Sequence, residues 1–151
     1  MSEIRKIIRE TLLREYNKNL IEDINKFLEK FFYTGIKFKD LTNSCDLSKG
    51  NCDDVSEELK KYLSNLGYNN LELVLLYKPK FDLKKSHEEW FENWNDNNFH
   101  AVLKVDDIYV DLTGSQFSPE QSGVKLYTHQ DLLKLWTLYS TSDNYNTRKE
   151  L

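Results

Sequence analysis

An α+β fold, with helices packed against one face of a small antiparallel sheet, is predicted by three observations. Two N-terminal stretches repeat apolar residues at helical spacing. A short apolar run, "LELVLLYKP", is bounded by Pro79, and a segment centred on Asp106-Asp107 alternates apolar and polar residues on both sides of a two-residue turn. At 151 residues the chain fits a single domain, 1–151, since domains typically run from about 50 to 250 residues.

Taken in order, Ile4, Ile7, Ile8 and Leu12, then Leu20, Ile24, Phe27, Leu28 and Phe31, predict an N-terminal helical segment over 3–32 that covers the rest of the fold. Asn17-Lys18-Asn19 lies between the two stretches and could bend or split the helix. Residues 35–51, rich in Ser, Asn, Asp and Gly, read as a loop. Val55, Leu59, Tyr62, Leu63 and Leu66 then line one stripe of a second helix, with Gly67 as its C-terminal cap, so that Cys52 falls in or just before its first turn. Leu71 to Tyr77 predict a buried strand. Ser86 and Glu89 have capping-box spacing and open a short helix carrying Trp90, Phe91 and Trp94. Strands follow over 99–105 and 108–112, with a further short strand at 124–127. Leu132, Leu133, Leu135, Trp136 and Tyr139 predict a helix from Thr128 to Ser140, and a frayed tail at 141–151.

The hairpin carries the chemical argument. If Asp106 and Asp107 are its loop, residue 105 faces 108 and residue 102 faces 111. His100, Val102 and Lys104 then share a face with Tyr109, Asp111 and Thr113. His100 and Asp111 become diagonal neighbours, within reach of a carboxylate–imidazole hydrogen bond. Such a carboxylate would fix the tautomer and leave the other ring nitrogen free to take a proton from a thiol. A loop longer by one residue would separate the pair. The opposite face is apolar and should pack on the helices.

Cys52 stands where the unpaired N–H groups of a helix start favour thiolate, although Asp53, Asp54, Glu57 and Glu58 nearby oppose it. Small buried hydrophobe and catalytic nucleophile both remain open for it on these grounds. Cys45, the other cysteine, lacks a comparable helical run after it. A Cys45–Cys52 disulfide would block thiol chemistry and is reasonable only outside a reducing compartment.

Composition bounds the remaining classes. The 21 Lys and Arg against 25 Asp and Glu give a net charge of −4, which disfavours a nucleic-acid partner. Lys78, Lys80, Lys84 and Lys85 read as one wetted edge. The start, "MSEIRKIIRETLL", offers no long uncharged run of the kind a signal peptide or membrane span requires, so no membrane association is expected and the default location is cytoplasmic, with export lacking a cleaved signal left open. Two cysteines and three scattered histidines lack zinc-ligand spacing, so neither a metal nor another cofactor is expected.

"GNC" leading into a helix with Ser56 and Leu59, followed by "FHAVLKV" and "IYVDLTGSQF", resembles the papain-like and transglutaminase-like superfamily of cysteine enzymes, especially small bacterial and phage-type members. The resemblance covers roughly residues 45–120. It implies a papain-like or transglutaminase-like core, with Cys52 as nucleophile, His100 as general base and acid, and Asp111 orienting His100. Asn51 would help to bind the oxyanion, beside the Cys52 backbone N–H, and Gln116 and Trp94 would shape the cleft. No glutamine stands upstream of Cys52 in the place where papain-like enzymes usually carry their oxyanion donor. The implied activity is amide acyl transfer from a protein or peptide substrate, giving a peptidase or a protein-glutamine deamidase when water resolves the thioester, and a transglutaminase when a second amine does. A non-enzymatic binding module on the same fold, an inhibitor or adaptor, is the alternative from another class, and an assembly protein using the apolar face of the first helix is a third.

Overall fold

A computed structural model describes residues 2–48, 50–81 and 94–151. The capping box at Ser86–Glu89 and the helix through Trp90 and Phe91 lie outside the described residues. Helix α1 runs unbroken from Glu3 to Lys30, its first turn capped by the Ser2 hydroxyl accepting from the Arg5 N–H. Asn17-Lys18-Asn19 does not split it, because nothing in those residues removes a backbone donor. Only its second half covers the core. Leu20, Ile24, Phe27 and Leu28 are buried, whereas Ile4 and Leu12 are 71% and 61% exposed. At about 100° per residue the two apolar groups fall on nearly opposite sides of one helix, so it does not bury both against one body.

The segment expected as a loop holds short regular elements. A hairpin of β1 (Phe32–Tyr33) and β2 (Ile36–Lys37) turns at Thr34 and Gly35, both at positive φ, and α2 (Phe38–Thr42) and α3 (Cys45–Ser48) follow. Helix α4 (Cys52–Asn65) then buries Val55, Leu59 and Leu63, and ends before Gly67 at φ +101°. It is the helix the apolar stripe predicted.

The main sheet has six antiparallel strands: β3 (Leu71–Pro79), β4 (His100–Val105), β5 (Ile108–Asp111), β6 (Lys125–Tyr127), β7 (Trp136–Thr141) and β8 (Asn144–Glu150), in the spatial order β6-β5-β4-β3-β7-β8. The β4–β5 register pairs Val105 with Ile108, Lys104 with Tyr109 and Leu103 with Val110, so Asp106 and Asp107 are the turn. Asp106 sits at φ +52° and accepts a hydrogen bond from the Tyr16 hydroxyl at 2.5 Å, which ties the turn to α1.

Two expectations are corrected at the C-terminal end. The helix predicted over 128–140 is confined to α5 (His129–Leu133), closed at its start by a capping box between Thr128 and Asp131. From Trp136 the chain is extended and pairs with β3, which would otherwise present an open edge. The tail expected to fray forms β8, whose residues are all exposed and so carry no apolar alternation to read. Arg148 helps to hold it: the guanidinium lies 4.1 Å from the Tyr77 ring centroid and donates to the Asp96 carbonyl at 2.8 Å.

The sheet separates two apolar clusters. On one face Leu103, Val105, Val110 and Leu112 meet α1, α2 and α4 through Ile24, Phe27, Phe38, Val55 and Leu59. On the other, Val74, Leu76, Val102 and Tyr109 meet Phe117, Leu132 and Trp136. Among the described residues no helix is long and apolar enough to cross a membrane.

Candidate active site

His100 is the first residue of β4, and its ring projects to the face opposite the one that α4 covers. Its Nε2 is 2.8 Å from Asp111 Oδ2, and both side chains are buried. The diagonal pairing deduced from the two-residue turn is therefore the arrangement present. The other Asp111 oxygen accepts the Thr113 backbone N–H at 3.0 Å, so the carboxylate is held at both ends. Burial alone would disfavour a charged ring. The Asp111 carboxylate, through its charge and its hydrogen bond, outweighs that effect, Cys52 adds to it, and the imidazole is pushed up to about 10. The phenol of Tyr127 on β6 is raised by burial first and then by the same Asp111 charge.

Aromatic rings enclose the pair. Trp136 stacks on the imidazole with centroids 5.5 Å apart and planes 18° from parallel, while Phe117 meets it edge-on at 4.7 Å. Phe81 and Trp94 continue the wall, each contacting Phe117, at 5.4 and 6.1 Å. These rings exclude water from the His100–Asp111 bond, which strengthens it. Trp136 was not among the residues the sequence singled out for the site, because its spacing with Leu132 and Leu133 also fits a helix. Trp94 stands one ring removed from the imidazole.

Cys52 opens α4 and is 7% exposed. Cys52 is among the groups that raise the His100 pKa, after the larger effects of burial and Asp111. The Val55 N–H returns to the Asn51 carbonyl at 3.0 Å and the Asp54 N–H to the Asp53 side chain at 3.0 Å. The Cys52 N–H has no acceptor among the described residues, as expected for a first helical position. The Asn51 amide nitrogen donates one hydrogen bond, to the Leu47 carbonyl at 2.8 Å.

The turn that carries Gln116 is fastened to the helices by buried hydroxyls. Thr42 Oγ1 donates to the Leu112 carbonyl at 2.5 Å, Ser48 donates to the Leu41 carbonyl at 2.7 Å, and Ser48 and Ser115 share a hydrogen bond of 2.7 Å. Gly114 lies in a 3-10 turn (Gly114–Gln116) where a Cβ would overlap the Gln121 carbonyl oxygen. Gln116 itself is buried, with its amide nitrogen 3.4 Å from His100 Nδ1. Neither Cys45 nor Cys52 is joined in a disulfide, and the Cys45 sulfur is 3.6 Å from the Gln116 carbonyl oxygen. Ser48 and Ser115 went unremarked in the sequence, since isolated serines carry no signal until the fold joins them.

Among the described residues no group of three or more His, Cys, Asp or Glu side chains is placed to hold a metal ion. The chemistry open to this arrangement is that of a thiol, a buried imidazole–carboxylate pair and a helix N-terminus. No protein-family model matches the chain, and no curated protein or solved structure matches it either.

Proposed function

We propose that this protein is a thiol-dependent amide hydrolase of papain-like or transglutaminase-like architecture, with Cys52 as nucleophile, His100 as acid and base and Asp111 as the group that orients His100. The observation that carries the reading is the buried His100–Asp111 hydrogen bond of 2.8 Å, on a strand against which the helix opened by Cys52 is packed. A solvent-exposed pair would have little effect on protonation; a buried one strongly favours the imidazolium that must accompany a thiolate. Resting-state geometry in such sites is often loose and tightens when substrate binds.

In the reaction, the Cys52 thiolate attacks the amide carbonyl and the developing oxyanion takes a hydrogen bond from the Cys52 backbone N–H. The C–N bond breaks as His100 delivers its proton to the departing nitrogen, leaving a thioester on Cys52. A water then loses a proton to His100, attacks the thioester and releases a carboxylic acid, and the thiolate is restored. Peptide bonds and glutamine side chains of proteins both satisfy this chemistry. Replacement of water by an amine in the second half would give cross-linking.

The test is alkylation of Cys45 and Cys52, resolved by peptide mass spectrometry between pH 4 and 10, in the native chain and in His100→Ala. Rapid labelling of Cys52 below pH 7 that His100→Ala removes is the expected result. Slow labelling of Cys52, indifferent to the histidine, would overturn the catalytic pair and leave the non-enzymatic binding module as the better account.

A further inference from the structure

Gln116 holds a fixed orientation that bears on how His100 is protonated. Its side-chain nitrogen donates to the Thr113 carbonyl at 3.0 Å and is 3.4 Å from Thr113 Oγ1, while its backbone N–H bonds the same carbonyl at 3.3 Å. A carbonyl oxygen can only accept, so the amide atom placed there is the nitrogen and not the oxygen. The same nitrogen, with its second hydrogen, is 3.4 Å from His100 Nδ1. A ring nitrogen that receives a hydrogen bond must present a lone pair. The single proton of a neutral ring then belongs on Nε2, where Asp111 accepts it.

We propose that Gln116 is a positioning residue that holds Nδ1 of the neutral His100 ring as a lone-pair acceptor, opposing the imidazolium that Asp111 favours, and that gives up this nitrogen whenever a proton passes to it. With Nε2 committed to Asp111, Nδ1 is the nitrogen left to both the Gln116 amide and the thiol. The titratable groups that act on the ring are Asp111 from β5 and Cys52 from α4. Its other described neighbours, Leu76 across from it on β3, Trp136 on β7, and Phe117 beside Gln116, carry no charge. Gln116 is thus the neutral counterweight to Asp111. The chemical consequence rests on the hydrolase reading: a lone pair on Nδ1 is what takes the proton of water when the thioester is resolved, so an imidazole locked as imidazolium would complete only the first half of the cycle.

The experiment is a pH titration of the full chain carrying Cys52→Ala, labelled with 15N-histidine, followed by NMR and compared with the same chain bearing Gln116→Met or Gln116→Glu. In the Cys52→Ala parent, neutral His100 should carry its proton on Nε2 and none on Nδ1. Gln116→Met should raise the apparent pKa of His100 by about one unit, the effect of one neutral hydrogen bond. Gln116→Glu, which offers an acceptor to Nδ1–H, should raise it further. A neutral ring protonated on Nδ1 in the parent overturns the proposal without any Gln116 variant, and so does a Gln116→Met chain that titrates at or below the parent. Because the thiol is absent, these outcomes do not depend on whether Cys52 reacts. Failure of Cys52 to alkylate would sink the hydrolase and leave the tautomer result standing.

Discussion

Replacement of Asp111 by asparagine should flatten the dependence of stability on alkaline pH. In the native protein His100 titrates at about 10 against 6.5 for an unperturbed ring. A group whose pKa is raised on folding contributes stability that is fully present below the unfolded value and is lost as pH rises through the folded one. The window is therefore from about pH 6.5 to about pH 10. Each unit corresponds to about 1.4 kcal/mol, so the span sets an upper bound of about 5 kcal/mol, of the same order as the 3–5 kcal/mol typical of breaking a buried ion pair. The asparagine amide could keep a hydrogen bond to Nε2 but not the charge, and burial would then favour a neutral ring. Urea unfolding at pH 6, 8 and 10 is the assay. Native stability should fall by a few kcal/mol across that series, and Asp111→Asn should be least stable relative to native protein at pH 6, with the gap closing by pH 10. Parallel profiles for the two chains would show that the carboxylate does not hold His100 charged.

Three further outcomes follow from the surroundings of the pair. Trp136→Ala removes the ring stacked on His100 and the largest fully buried side chain of its cluster; it should cost about 3–5 kcal/mol in urea unfolding, with Trp136→Phe costing clearly less. Gly114→Ala should destabilise by about 1–3 kcal/mol, because the added methyl meets the rigid Gln121 backbone and not a side chain that can swing away. Ser48→Ala removes a hydroxyl bonded to the Leu41 carbonyl and to Ser115, which keep the Ser44 N–H and the Ser44 carbonyl as partners, for an expected loss of about 0.5–1.5 kcal/mol measured in the same way; an unchanged midpoint in that variant would mean the hydroxyl network contributes nothing to holding the turn.

The central hairpin was legible because one local feature, the two-residue turn at Asp106-Asp107, fixes the register of everything that follows it. Once 105 faces 108, the placement of His100 near Asp111 is arithmetic. The C-terminal hairpin was not legible, for two different reasons. In "LLKLWTLYS" the apolar residues fit both periods, and the decision lies with β3, whose free side needs a strand and cannot be seen from residues 128–140 alone. In β8 there was nothing to read, since an exposed edge strand buries no alternate residue. The first helix misled in a subtler way. Its two apolar stretches each have helical spacing, yet they point to opposite sides, and only the phase between them tells which half meets the core.

The site depends on a position along a strand more than on any single contact. Helix α4 lies on the face of β4 that presents Leu103 and Val105, through Val55 and Leu59, whereas His100 belongs to the other face. The proposed reaction needs thiol and imidazole to meet, and what favours that is that each is the first residue of its element, Cys52 of α4 and His100 of β4. The axial placement of the helix is set by the packing of Val55 and Leu59 and by Ser56, whose hydroxyl donates to the Ala101 carbonyl at 3.3 Å. A slip of α4 by one turn, about 5.4 Å, would leave the His100–Asp111 pair intact and carry the thiol out of reach. Ser56→Ala should therefore lower Cys52 alkylation at pH 6 more than it lowers stability in urea. Equal losses in the two measurements would mean that the hydroxyl supports the fold generally and does not set the register of the helix on the strand.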